Sequence, residues 1–363
     1  MTADGAAVAA SQPGGGAHHS RLALGHAKRH LKRSALKLVG YLAAAYLVLR
    51  LVPTLERALE SLEHVSSVWL VGAIALEVVS ETGFVVAWRA VVDPERVLDA
   101  EGRGRRMDQR VAWAQLGGGL VVPGGSFGGM GIGAWFLHRF GMPSKLIAER
   151  QFTLSFLNTA ISALALIVFG VGLAIRLFHG EHLLTLTLLP AALAASAIAA
   201  AVSIAPRASA HAARLRPTHP KIAKVLTTLA DAVAGTRGLF HEKSWSSLLG
   251  AVVYLGFEVL VLWSAFLAIH AEPVPGFAVV AMAYVIGALA GSLPLPAGIG
   301  TIGGVAGMLI VYGVDHNPAV AAVLLLQAIG LLVPLAGGAI AYIIIRRHLG
   351  PEEPAKQSAA VTR

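Results

Sequence analysis

No cysteine occurs among the 363 residues. That excludes disulfides, a thiol nucleophile and a cysteine metal site. Charge is scarce as well: 13% of the residues are Asp, Glu, Lys or Arg, against about 25% in an ordinary soluble domain. The charges crowd into a few short segments. Between them lie apolar runs of about 20 residues, long enough to cross a hydrocarbon core of about 30 Å. The short alternating strands of a membrane β-barrel are missing. The histidines form no His-Glu-x-x-His, and no acid–His pair accompanies a fixed nucleophile, so no catalytic set is legible. No P-loop occurs. A lone Gly-x-Gly-x-x-Gly at Gly298, Gly300 and Gly303 lacks the strand and the downstream acid that a dinucleotide fold needs. The expectation is a protein with no cofactor and no metal that is not an enzyme.

What is present reads as an all-α polytopic membrane protein. Six long spans are expected at 36–53, 66–92, 151–176, 183–205, 245–270 and 319–345. Two further apolar stretches, 110–140 and 276–314, are interrupted by Gly and Pro and would re-enter or cross as hairpins. Residues 1–35 form a basic tail whose Ala/Gly/Ser-rich start is expected to be disordered. The run after it has no small-residue cleavage site and reads as an uncleaved first helix. A single transmembrane domain would occupy 36–345, and 346–363 would be a second tail.

Lys and Arg set the expected orientation. Six lie between Arg21 and Lys37, five Arg in 93–110, seven in 206–243, and Arg346 and Arg347 at the end. The alternate connections hold only Arg57, with acids around it. Both termini should then be cytoplasmic, in a plasma (inner) membrane. The net charge of +9 thus belongs to topology rather than to nucleic acid. The 206–243 loop could also dock a protein partner.

The interruptions look like copies. Gly125-Ser126-Phe127-Gly128-Gly129 and Gly300-Thr301-Ile302-Gly303-Gly304 share one pattern. Pro123 precedes the first, Pro294 and Pro296 the second, and Pro143 and Pro318 follow at equal distance. Three spans separate the copies, so they must face opposite ways. The halves are 36–176 and 183–345, and Trp88 and Trp263 share their register. Such inverted-topology repeats recur in secondary transporters, with substrate sites at the broken segments. Ser126 and Thr301 are suitable N-caps for helices through Phe140 and Val314. Those helices would aim positive dipole ends at an anion. Alternatively the glycines only allow close helix packing.

Glu77, Glu81 and Glu258 fall near the middles of their spans. An acid there costs on the order of 2.5–3.5 kcal/mol on insertion scales. They are candidates for ion coupling or gating. The alternative is that they lock helices together, neutral or paired with a base such as Arg89. Arg150 could meet a lipid phosphate or simply mark a positive-inside flank. Gln115, Asn158 and Gln327 suit interhelical hydrogen bonds.

Leu293-Pro294-Leu295-Pro296-Ala297-Gly298-Ile299-Gly300, leading to Tyr312-Gly313-Val314, resembles a segment of a known family. That family is the transmembrane region of lysylphosphatidylglycerol synthases, with its stand-alone, flippase-like relatives. Val122-Pro123-Gly124-Gly125 and Glu149-Arg150 look like its first-half features, and the resemblance covers roughly 36–345. It implies movement of lipids or lipid-linked headgroups between leaflets, with membrane lipids, anionic by the basic flanks, as partners. About 18 residues follow the last span, so the synthase domain of fused members is not expected here. Gly303 and Gln327 stand where family members often have an acid and an Arg. A proton-coupled transporter of a small solute and a non-transporting subunit anchoring a partner are the other readings.

Overall fold

A computed structural model of the chain describes residues 65–99, 106–121, 126–178, 184–215, 219–241, 244–290 and 299–349. Among the described residues there are ten α-helices, a single 3-10 turn at Val97–Asp99, and no strand. The first half holds α1 (Ser67–Val92), α2 (Met107–Val121), α3 (Ser126–Arg139) and α4 (Ser144–Ala174). Then come α5 (Leu184–Leu215) and α6 (Pro220–His241). The second half holds α7 (Trp245–Ala268), α8 (Phe277–Ala290), α9 (Ile299–Val311) and α10 (His316–Leu349).

Five helices, α1, α4, α5, α7 and α10, are long and apolar enough to cross a membrane. They cover five of the six expected spans; the sixth, 36–53, lies outside the described residues, as does the 1–35 tail. Two boundaries differ. α4 starts at Ser144, right after Pro143, so Glu149 and Arg150 lie inside a helix rather than at its mouth. The 206–243 connection is mostly helical: α5 runs on to Leu215, and α6 fills Pro220–His241. Its Ala223, Ala230 and Val233 are buried, in a chain contacting α4 and α5. Alanine-rich sequence favours helix even where charge marks a connection.

α1 and α7 form the centre, and they run antiparallel. The Ser66 N–H donates to the Ala268 carbonyl at 2.9 Å. Further along, the Ser80 hydroxyl donates to the Tyr254 carbonyl at 2.8 Å. Glycine permits the close approach at two points. A Cβ on Gly83 would lie 2.7 Å from Tyr254 N and 2.9 Å from the Gly250 carbonyl oxygen. A Cβ on Gly250 would lie 2.6 Å from Ala87 N. Backbone meets backbone here, as small residues allow between membrane helices.

The remaining helices flank this pair in a regular way. α1 touches α2 and α4, as α7 touches α8 and α10. α2 pairs with α3 and crosses to α10, as α8 pairs with α9 and crosses to α4. Two apolar cores result. One gathers Trp88, Val111, Phe136 and Leu157 from the first half with Ala251 and Ile345 from the second. The other gathers Leu262, Met282, Leu309 and Val323 with Ala73 and Leu173 from the first.

Each interrupted stretch contains two short helices that pack together, α2 with α3 and α8 with α9, here called the two hairpins. Their second arms end alike. Gly141 (φ 91°) and Gly313 (φ 87°) sit in the left-handed region that favours glycine. Gly141 N–H donates to His138 O and Met142 N–H to Leu137 O; Gly313 N–H donates to Ile310 O and Val314 N–H to Leu309 O. This is the six-to-one, five-to-two bonding that closes a helix C-terminus. Aligning these ends puts Ser126 opposite Gly298 and Gly129 opposite Thr301. The Gly-[Ser/Thr]-x-Gly-Gly copies are therefore displaced by nearly one turn relative to the hairpin ends.

Candidate functional site

The triad of acids assembles. Glu77 and Glu81, one turn apart on α1, meet Glu258 of α7, and one carboxylate oxygen from each lies within 4.8 Å of the others. Antiparallel crossing produces this: Glu258 descends α7 as Glu77 ascends α1. Along α1 the two acids fall between Ala73, in one core, and Phe84, in the other. Glu77 is 0% exposed and Glu81 3%. Neither Glu77 oxygen has a hydrogen-bond partner among the described residues, nor has Oε2 of Glu81. Glu258 is better served, accepting from the Tyr284 hydroxyl at 3.1 Å. α10 closes another side: a Cβ on Gly330 would lie 3.4 Å from Oε1 of Glu77. Buried carboxylates without donors are costly, so the charge at this junction must be neutralised by protons or by a cation.

The glycine segments sit elsewhere, at the hairpins. Pro123, Gly125, Pro294 and Pro296 lie outside the described residues. Ser126 is the first residue of α3, whereas Thr301 is the third of α9 and not its cap. Gly128 is buried. Gly129 is a contact point: its Cβ would meet the Gln115 carbonyl oxygen at 2.5 Å and Gly119 Cα at 3.1 Å. Gly303 is exposed, with nothing within 4 Å of such a Cβ, and Gly300, Thr301 and Gly304 are half-buried. In the second hairpin the close contact falls on Gly287, whose Cβ would meet Val305 Cα at 2.4 Å. Packing therefore explains Gly129 but not Gly303.

Arg150 is engaged inside the chain. Its guanidinium donates two bonds of 2.8 Å to Glu95 and one of 2.9 Å to the Val92 carbonyl. Val92 is eleven residues beyond Glu81 on α1, about 16 Å at 1.5 Å per residue, so Arg150 and the triad are separate features. Arg89 binds Asp108 and lies 4.0 Å from Asp99; it does not pair with the glutamates. Beside them, Asp93 accepts from the Val97 and Leu98 N–H groups at 2.8 and 3.0 Å. Burial pushes its carboxyl up, and those two bonds oppose the shift.

Gln115 makes the interhelical bonds its position suggests. It accepts from the Trp88 indole at 2.9 Å and exchanges bonds with Gln151 at 3.0 and 2.7 Å. Trp263 instead donates to the Pro275 carbonyl at 3.2 Å. The Asn158 side-chain oxygen is buried without a partner among the described residues. Sequence reasoning missed Tyr284 and Gly330. Both lie in apolar helices with no local pattern that sets them apart. Pro334, four residues after Gly330, was the available signal.

Residues 36–338 match the family model described as the lysylphosphatidylglycerol synthase TM region. The chain belongs to that family. The match is to the transmembrane region alone, and it ties this multi-pass membrane protein to lipid-related processes. No curated protein and no solved structure matches the chain.

Proposed function

We propose that this protein moves an anionic lipid or lipid-linked headgroup between the leaflets of the plasma membrane, both termini being cytoplasmic, without catalysing a covalent step. The observation that carries the reading is the pair of short-armed hairpins set about an antiparallel α1–α7 centre, in a chain of this family. Arms of 13–15 residues span about 20 Å, less than a hydrocarbon core of about 30 Å. The facing ends of each pair of arms then fall within the membrane, where a chain is tolerated only beside protein or a watery cavity. The matched neighbours of α1–α4 and α7–α10 support an inverted repeat. In this reading the starts of α3 and α9 face the headgroup, and Gly303 stays open because substrate passes it. The glutamate triad, on the axis between the halves, is the ion-responsive joint.

The test is leaflet exchange of fluorescent anionic and zwitterionic lipids in liposomes holding the purified protein. Exchange above that of empty liposomes is expected, slowed by Glu258→Gln. Exchange equal to that of empty liposomes for every lipid and ion gradient refutes the proposal.

A further inference from the structure

We propose that Glu77, Glu81 and Glu258 hold a hard, oxygen-preferring divalent metal cation of Ca2+ size between α1 and α7. Proximity of three acids does not by itself make a site. Two further observations do. First, Glu77 is fully buried and aimed into the cluster, with neither oxygen partnered. Second, α10 contains Pro334. Proline has no N–H, so the Gly330 carbonyl cannot receive its normal i+4 helical bond. That carbonyl belongs to the residue lying against Glu77, where an added Cβ would be 3.4 Å from Oε1. The junction thus offers three carboxylates from two helices, and α10 closes it at a residue whose carbonyl lacks its usual helical donor.

Charge and donor counting favour a metal over protons. A proton on one carboxyl makes a single O–H donor, which can serve one oxygen of a neighbouring carboxylate and leaves the other orphaned oxygens without donors. A cation such as Ca2+ takes 6–8 oxygens at 2.3–2.6 Å in adaptable geometry, so one ion serves several orphaned oxygens together. Oxygens already within 4.8 Å of one another need only small side-chain movements to close on it. Mg2+ is the poorer fit, since it demands octahedral geometry at 2.0–2.1 Å and keeps several waters. A divalent charge also offsets more of three carboxylates than a monovalent one. The ion would pin the two halves at their crossing.

This inference rests on reading the triad as an ion-responsive joint, but binding is measurable without transport. Full-length protein in detergent, stripped with EDTA, would be melted against CaCl2, with Mn2+ as a paramagnetic probe. Saturating Ca2+ should raise the melting temperature by on the order of 5 °C and displace bound Mn2+. Glu77→Gln and Glu258→Gln, both isosteric and neutral, should each lose that rise, while Glu149→Gln at the exposed Lys145 pair keeps it. The proposal is overturned by no rise at millimolar Ca2+, or by equal rises in both triad variants. A rise from acid alone under EDTA, with no added effect of Ca2+, overturns it in favour of protons. Leaflet exchange without Ca2+ binding sinks this inference alone; Ca2+ binding without exchange sinks the lipid reading alone.

Discussion

Gly83→Ala tests whether α1 and α7 meet backbone to backbone. The new methyl would lie 2.7 Å from Tyr254 N, 2.8 Å from Val253 Cγ1 and 2.9 Å from the Gly250 oxygen. Two of these three neighbours are main chain and cannot swing away. Overpacking of this kind costs about 1–3 kcal/mol. Alanine returns about 0.8–1.0 kcal/mol through helix propensity, so a net loss of up to about 2 kcal/mol is expected. Gly256→Ala, on α7, and Gly72→Ala, on α1, meet nothing within 4 Å. They should keep the propensity gain and melt slightly higher. Gly250→Ala presses on Ala87 N and the Gly83 oxygen, so it strains the same joint. The Gly83/Gly250 double variant should therefore cost less than the sum of the singles, because parting the helices once relieves both clashes. Thermal unfolding in detergent, followed by tryptophan fluorescence, reads all five proteins. A Gly83→Ala protein melting as high as Gly256→Ala would refute the close crossing, and the geometry of the triad with it.

Arg89→Ala should destabilise by about 3–5 kcal/mol, because it strands Asp108, whose side chain is 0% exposed; denaturant unfolding checks this, and Asp108→Asn in the same chain should recover part of the loss. Gly287→Ala should pry open the second hairpin, since Val305 Cα and N lie 2.4 and 2.5 Å from the new Cβ; slower leaflet exchange with retained membrane insertion is the expected result, and unchanged exchange counts against a role for that hairpin.

Much of this architecture was legible because membrane helices announce themselves. α1 and α7 fall within two residues of their expected spans, since apolar length and flanking charge suffice to draw them. The acids were legible for the same reason: in an apolar run a carboxylate stands out by cost alone. Their convergence was not. It depends on which faces of α1 and α7 meet, and that is set by Gly83 and Gly250, two glycines among 40. The pairing of Arg150 with Glu95 was not legible, because its partner is 55 residues away, beyond any local pattern. The hairpin motif misled in a narrower way. Its letters repeat, but Gly141 and Gly313 end the helices in a register shifted by three residues, so Thr301 is not the structural counterpart of Ser126.

The two halves share a scaffold more closely than a chemistry. Trp88 and Trp263 put Glu77 in register with Val252, Glu81 with Gly256, and Glu258 with Gly83. Each acid therefore has an apolar or glycine counterpart in the other half. If the halves are an inverted repeat, as proposed, a repeated acid would appear at two mirrored places, each with its own ion. Unrepeated acids meeting at the crossing make one place instead, on the axis, shared by both halves. Under the proposed transport reading, a single charge there would sense how α1 crosses α7, the quantity that changes if the two hairpins take turns facing each leaflet.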